Sequence, residues 1–268
     1  MVGADLSWSL DPAALAVVVG LGWIYTRRWR RVRAAGSSDA PWRLLFCTLC
    51  GLSLIVVALM SPVDALSQQL AVAHMVQHLL LADLAPILLI LGLNKVLLRP
   101  VTRRVQAIER RAGPLGHPAF AVVAYVGLMW LWHTPVFYDA AYHHLAIHVF
   151  EHSWFFAAGS LYWWHLLSPI RGRLRLSGMG PVLYMGSTKI LVGFLGILLT
   201  FAPELIYDAY ARGFHVWGLS AHDDQAVAGA VMALEQSIVM GIALVYLFYR
   251  AINESEREAQ RAERLEPA

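Results

Sequence analysis

Two pairs of histidines lie in apolar stretches of this chain at a spacing of four residues. They are His74-Met75-Val76-Gln77-His78 and His148-Val149-Phe150-Glu151-His152. That spacing puts both imidazoles of a pair on one helix face. Strongly polar groups at membrane depth are costly and need partners. Imidazole suits Cu, Zn, Fe and Ni alike, so a transition-metal site is the chemistry four such rings suggest. Gln77 and Glu151 each precede a histidine and are expected to point partly away from the stripe, orienting ligand rings or holding protons. Met75, Met129 and Met232 could add thioethers, although methionine in an apolar helix is ordinarily packing. His133, His143, His144, His215 and His222 read as surface histidines in outer loops or at helix ends, together attractive to a metal ion.

The elements that must carry these residues are membrane helices. The chain is 58% hydrophobic with a mean hydropathy of +0.55, which excludes an ordinary soluble domain. Seven apolar segments approach the ~20 residues that span a bilayer: 8–26, 42–61, 70–93, 118–134, 145–167, 181–202 and 226–249. The predicted fold is therefore an all-α seven-span bundle over residues 1–252, with a charged cytoplasmic tail at 253–268. Nineteen of the twenty-one basic residues fall on one side of it, around Arg27–Arg43, Lys95–Arg111, Arg171–Arg175 and Arg250–Arg264. The positive-inside rule makes that side cytoplasmic and leaves the N-terminus outside. These loops account for the pI of 9.0, so the expected partner is the bilayer and not a nucleic acid. Met1-Val2-Gly3-Ala4-Asp5 lacks a basic n-region, so no cleaved signal peptide is expected.

Both histidine pairs then sit one to two turns below the outer face, since each residue rises ~1.5 Å. The outer turns share a pattern: Ser61-Pro62-Val63-Asp64, Thr134-Pro135 with Tyr138-Asp139, and Ala202-Pro203 with Tyr207-Asp208. Proline ends the incoming helix and Asp can cap the next. Outer segment 203–225 could cover the histidines, with Tyr207, Tyr210, Phe214 and Trp217 suited to the membrane interface. Segment 94–117 has the spacing of a short amphipathic helix on the cytoplasmic surface. Asp83 and Lys189 fall at similar depth and are expected to form an ion pair. Glu235 lies near the midplane as a ligand or a protonated acid. Cys47 and Cys50 read as packing residues, with a transient soft-metal site as the alternative.

The motifs resemble the polytopic CtaG-type cytochrome c oxidase assembly factors, a family associated with caa-type oxidases. The matching stretches are His74-Met75-x-Gln77-His78 with Ala85-Pro86, Trp132-His133-x-Pro135-x-x-Tyr138-x-x-Ala141, and His148-x-x-Glu151-His152. Asp224-Gln225, Gly229 and Met232 match more loosely. The resemblance covers about residues 40–250 and implies a non-enzymatic, multi-pass protein of the bacterial inner membrane. It implies a role in maturing haem–copper oxidase by helping copper reach the catalytic subunit, with oxidase subunits and a periplasmic copper chaperone as partners. His74, His78, His148 and His152 are then the candidate copper ligands. Asp83 and Glu235-Gln236 depart from the family pattern.

The rival readings are a di-iron or zinc intramembrane enzyme and a copper or ion transporter. Di-iron boxes lie at the cytoplasmic face, and the arginines place these on the opposite side. Catalytic zinc needs three ligands and an open site. Asp83, Lys189 and Glu235 are what a transporter would explain.

Overall fold

A computed structural model describes residues 3–170, 176–211 and 216–263, and among these the chain is helical without strands. Helix α1 (Pro12–Ala34) begins at the Asp11-Pro12 step. Asp11 Oδ1 accepts from the amides of Ala13 and Ala14 at 2.8 and 3.2 Å, so the apparent interruption of the first apolar run is its N-cap. Then follow α2 (Trp42–Met60), α3 (Pro62–Ser67) and α4 (Ala71–Leu79). A single π-helical turn, Leu80–Leu84, joins α4 to α5 (Ala85–Leu91). Its cause is Pro86, whose ring nitrogen cannot bond the carbonyl four residues earlier; the Ala85 amide bonds Leu80, five back, instead.

The short α6 (Lys95–Leu98) and α7 (Thr102–Ala112) precede a 3-10 turn and α8 (Pro118–Trp132). Helix α7 buries none of its residues within the chain, which suits a segment covering a lipid surface. Next are α9 (Pro135–His143), α10 (Leu145–Leu167), α11 (Gly180–Thr200), α12 (Asp208–Ala211) and α13 (Ala221–Glu263). Helix α13 runs without a break through the expected boundary at the charged tail. Arg171, Arg173, Arg175, Arg212, Phe214, His215 and Arg264 lie outside the described residues.

Four segments are long and apolar enough to cross a bilayer: Trp42–Met60, Ala71–Leu91, Gly180–Thr200 and Ala221–Glu256. A fifth arises if Thr102–Gly116 and Pro118–Trp132, bent by 64°, are one span. The chain is a membrane protein. Helices also occupy the other expected segments, but α1 ends in arginines and α10 carries three histidines and a glutamate, which lower their hydropathy.

Packing brings the two histidine-bearing helices together. Helix α10 lies against the π-turn and α5, and the start of α13 lies against α4. A Cβ on Gly159 of α10 would collide with the backbone of Ala82, so only glycine allows this approach. Gly196 and Gly229 meet similarly where α11 packs along α13, a small-residue contact common between membrane helices.

Candidate functional site

Helix α4 has no capping side chain of its own. Asp224 at the start of α13 supplies one, accepting from the amides of Ala71 and Val72 at 2.6 and 3.1 Å. The adjacent Gln225 accepts from the Ile206 amide at 2.7 Å and donates to the Glu204 carbonyl at 3.3 Å. This pair ties the far end of the sequence to the helix carrying His74 and His78. The sequence marked Asp224-Gln225 only as a loose motif.

All four histidines are buried and converge. Ring centroids are 4.3 Å apart for His74–His78 and 4.2 Å for His148–His152. Across the helices they are 5.4 Å for His74–His148, 5.9 Å for His74–His152 and 5.5 Å for His78–His152. His148 Nε2 and His152 Nε2 are 3.1 Å apart, which requires one hydrogen between them. Gln68 Nε2 lies 3.4 Å from His148 Nδ1; as donor there, it leaves the hydrogen on His148 Nε2.

Glu151 turns into this cluster. It stands three residues after His148, hence on the same face, which corrects the expectation that it points partly away. Its Oε1 is 3.5 Å from His78 Nε2 and 3.7 Å from His74 Nε2. Glu151 is fully buried, and neither its oxygens nor any ring nitrogen of His74 or His78 has a hydrogen-bond partner. Orphaned buried donors and acceptors of this kind are costly. Bonds of about 2.0–2.1 Å to a tetrahedral ion would space its ligand atoms by about 3.3 Å, close to these separations. Ligand atoms of His74, His78 and His152 lie within 4.8 Å of one another, as do those of His148, Glu151 and His152. These five residues could hold a metal ion. Gln77, expected to orient a histidine, instead donates to the Ala58 carbonyl at 2.7 Å and to Asp64 Oδ1 at 2.9 Å, tying α4 to the end of α2.

The proline turns form a roof. Tyr138 of α9 lies 5.1 Å from the His74 ring, and Tyr207 stacks on Tyr138 at 3.9 Å. The Tyr207 hydroxyl donates to the His133 carbonyl at 3.1 Å, and the Tyr210 hydroxyl to the Ser67 carbonyl at 2.8 Å. Tyr207 and Tyr210 are therefore buried, not interfacial as expected; Trp217 is exposed. Among the described side chains, the turn aspartates Asp64 and Asp139 do not cap the next helix. Asp64 accepts from Gln77 and Ser9, and Asp139 accepts from the Ala209 amide at 3.3 Å.

His133 departs from its surface expectation, because α9 folds back over it. It is buried, with Nδ1 2.6 Å from the Met129 carbonyl and Nε2 3.2 Å from Met75 Sδ. His143, His144 and His222 are exposed as expected. Met232 lies in the main apolar core, and Cys47 and Cys50 are free, half-buried thiols.

The expected Asp83–Lys189 ion pair is not formed. Asp83 sits fully buried in the π-turn, where its carboxylate accepts from the Tyr125 hydroxyl at 2.7 and 2.8 Å and from Trp163 Nε1 at 2.8 Å. Two neutral donors on α8 and α10 thus replace the cation. Glu235 accepts from its neighbour Gln236 at 2.8 Å and feels the field of Asp83.

The family model described as cytochrome c oxidase caa3 assembly factor matches residues 23–254. Similar chains include an uncharacterized protein of Mycobacterium leprae, 25% identical over 281 aligned positions, which cover 96% of this chain and 41% of that protein. Uncharacterized proteins of Mycobacterium bovis and Mycobacterium tuberculosis are each 26% identical over 275 positions, with the same coverage. The chain spans about two fifths of the length of these relatives. No solved structure matches it. Matched over most of its length, histidine pairs and roof included, the chain belongs to the cytochrome c oxidase caa3 assembly factor family.

Proposed function

We propose that the protein is a non-catalytic assembly factor of the bacterial inner membrane that binds copper as cargo and aids its delivery to the catalytic subunit of a haem–copper oxidase. The observation that carries this reading is the cluster of His74, His78, His148 and His152 around the buried, hydrogen-bond-free carboxylate of Glu151. Its donor set is nitrogen-rich with one anionic oxygen, which suits copper and also accepts zinc. The chain's own contribution is to hold these side chains apart from water. Tyr138 and Tyr207 close the cluster above, and Phe155 lies 4.2 Å from the His78 ring. Glu151 would offset the charge of the ion. His148 would carry its hydrogen on Nδ1 instead of Nε2, with the Gln68 amide turned to accept it, so that both Nε2 lone pairs of the His148–His152 pair are free for the ion. Partners under this reading are the oxidase subunits and a periplasmic copper chaperone. Under this reading the chain crosses the membrane seven times with its N-terminus outside, as the arginine distribution supports, and the cluster would face the outer side, where such a chaperone works.

The test is metal analysis of the purified protein in detergent, beside a His74→Ala/His78→Ala variant. Copper near one equivalent in the parent and its loss from the folded variant is the expected result. Equal copper in both, or none in the parent after loading, overturns the proposal.

A further inference from the structure

We infer that Met75 and His133 form a second, soft metal site beside the histidine cluster, suited to the cuprous ion. The inference deepens the copper reading and rests on it. Its geometry is a contact between two electron-pair donors. The Met129 carbonyl can only accept, so its 2.6 Å contact with His133 Nδ1 puts the imidazole hydrogen on that nitrogen. In the neutral ring the lone pair is then on Nε2, and Nε2 faces the thioether sulfur of Met75 at 3.2 Å. Neither atom brings a hydrogen to this contact. Both side chains are buried, Met75 at 2% and His133 at 5% exposure, so no bulk water intervenes.

A soft cation between two such donors turns the contact into an attraction. Bonds of about 2.0 Å to nitrogen and about 2.3 Å to sulfur close on a 3.2 Å gap at close to a right angle. Thioether sulfur selects Cu(I), and a zinc ion would favour the imidazole and carboxylate donors of the main cluster. A backbone carbonyl fixing the ring through its other nitrogen is the usual support for a metal-ligating histidine. The His78 ring is 6.0 Å from the His133 ring, close enough for an ion to pass between the two sites without leaving the protein. The sequence carries the same logic in two places: Met75 stands inside the first histidine pair, and His133 in the Trp132-His133 turn at the end of α8.

The experiment is anaerobic loading of the purified protein in detergent with one equivalent of Cu(I), followed by X-ray absorption at the copper edge. The parent should show a sulfur scatterer beside nitrogen. Met75→Leu should lose that sulfur and bind Cu(I) at least ~10-fold more weakly in competition with a chromophoric chelator, while zinc affinity stays unchanged. Protein labelled with selenomethionine should show copper–selenium scattering, an observation that does not depend on a variant folding. Copper bound with nitrogen and oxygen alone, in parent and labelled protein, overturns the inference and leaves the histidine cluster standing. That outcome assigns the Met75–His133 contact to an N–H···S bond from a protonated ring. No retained copper in the parent overturns both readings.

Discussion

Glu151 is the residue on which the electrostatics of the cluster turn. It is the only carboxylate among the described residues within ion-pair distance of His74 and His78, and it is fully buried. Glu151→Gln keeps the volume and removes the charge. It should weaken copper binding by about 10- to 100-fold, the cost common for groups that tune a metal site, with little loss of thermal stability. Chelator competition and thermal unfolding in the same detergent measure the two effects; an unchanged affinity would remove Glu151 from the site. At Asp83 the expectation is different. Tyr125→Phe removes a buried donor from a carboxylate and should cost about 1–3 kcal/mol, whereas Lys189→Met should be near neutral. The Asp83→Asn/Lys189→Met double variant should match Asp83→Asn alone in unfolding; recovery in the double would restore the ion pair. The sequence made the histidine pairs legible because their relation is local, four residues on a helix. It could not show that Asp83 meets Tyr125 and Trp163, because equal depth says nothing about which face a residue occupies. The π-turn adds a residue at that point and rotates everything after it. His133 reads as a surface residue in the sequence for a related reason, since its partner Met75 is 58 residues away.

At the scale of elements, the cluster depends on two long-range supports that no local pattern announces. One is the approach of α10 to the π-turn at Gly159. Gly159→Ala should force the helices apart and cost about 1–3 kcal/mol, with a larger fractional loss of metal binding than the same destabilisation causes elsewhere. Parallel unfolding and copper titrations test this, and an alanine that binds copper normally would show the contact to be slack. The other is the cap that Asp224 places on α4 from 153 residues away. Asp224→Ala should cost about 0.5–2 kcal/mol and raise hydrogen exchange at Ala71 and Val72. Protection equal to that of the parent would mean that other groups hold the helix start. The helices themselves were readable from apolar runs, while their boundaries followed from caps and breaks. Asp11 opens α1 later than the apolar pattern begins, and the glycine-flanked 3-10 turn Gly113–Gly116 separates α7 from α8 by a sharp bend.

For the whole molecule, the chain order of charge and the geometry of the turns agree on a polarity. The short helices α3 and α9, each led by a proline, gather with α12 at one end, joined by the Tyr210–Ser67, Tyr142–Gln68 and Ala209–Asp139 hydrogen bonds. The histidine cluster lies directly beneath them. The arginines of α1 and α7 belong to the opposite ends of the helices that lead to and from this roof. If the basic end is cytoplasmic, the proposed copper cargo would reach the histidines from outside through the roof, on the side where an external carrier could deliver it. Reporter fusions after residues 36, 64, 112 and 139 should then read inside, outside, inside and outside in turn. The decisive position is 139, in α9 next to the roof tyrosine Tyr138. An inside signal there would turn the cluster toward the cytoplasm, remove the external carrier as its source, and require a cytoplasmic copper supply for the same four histidines.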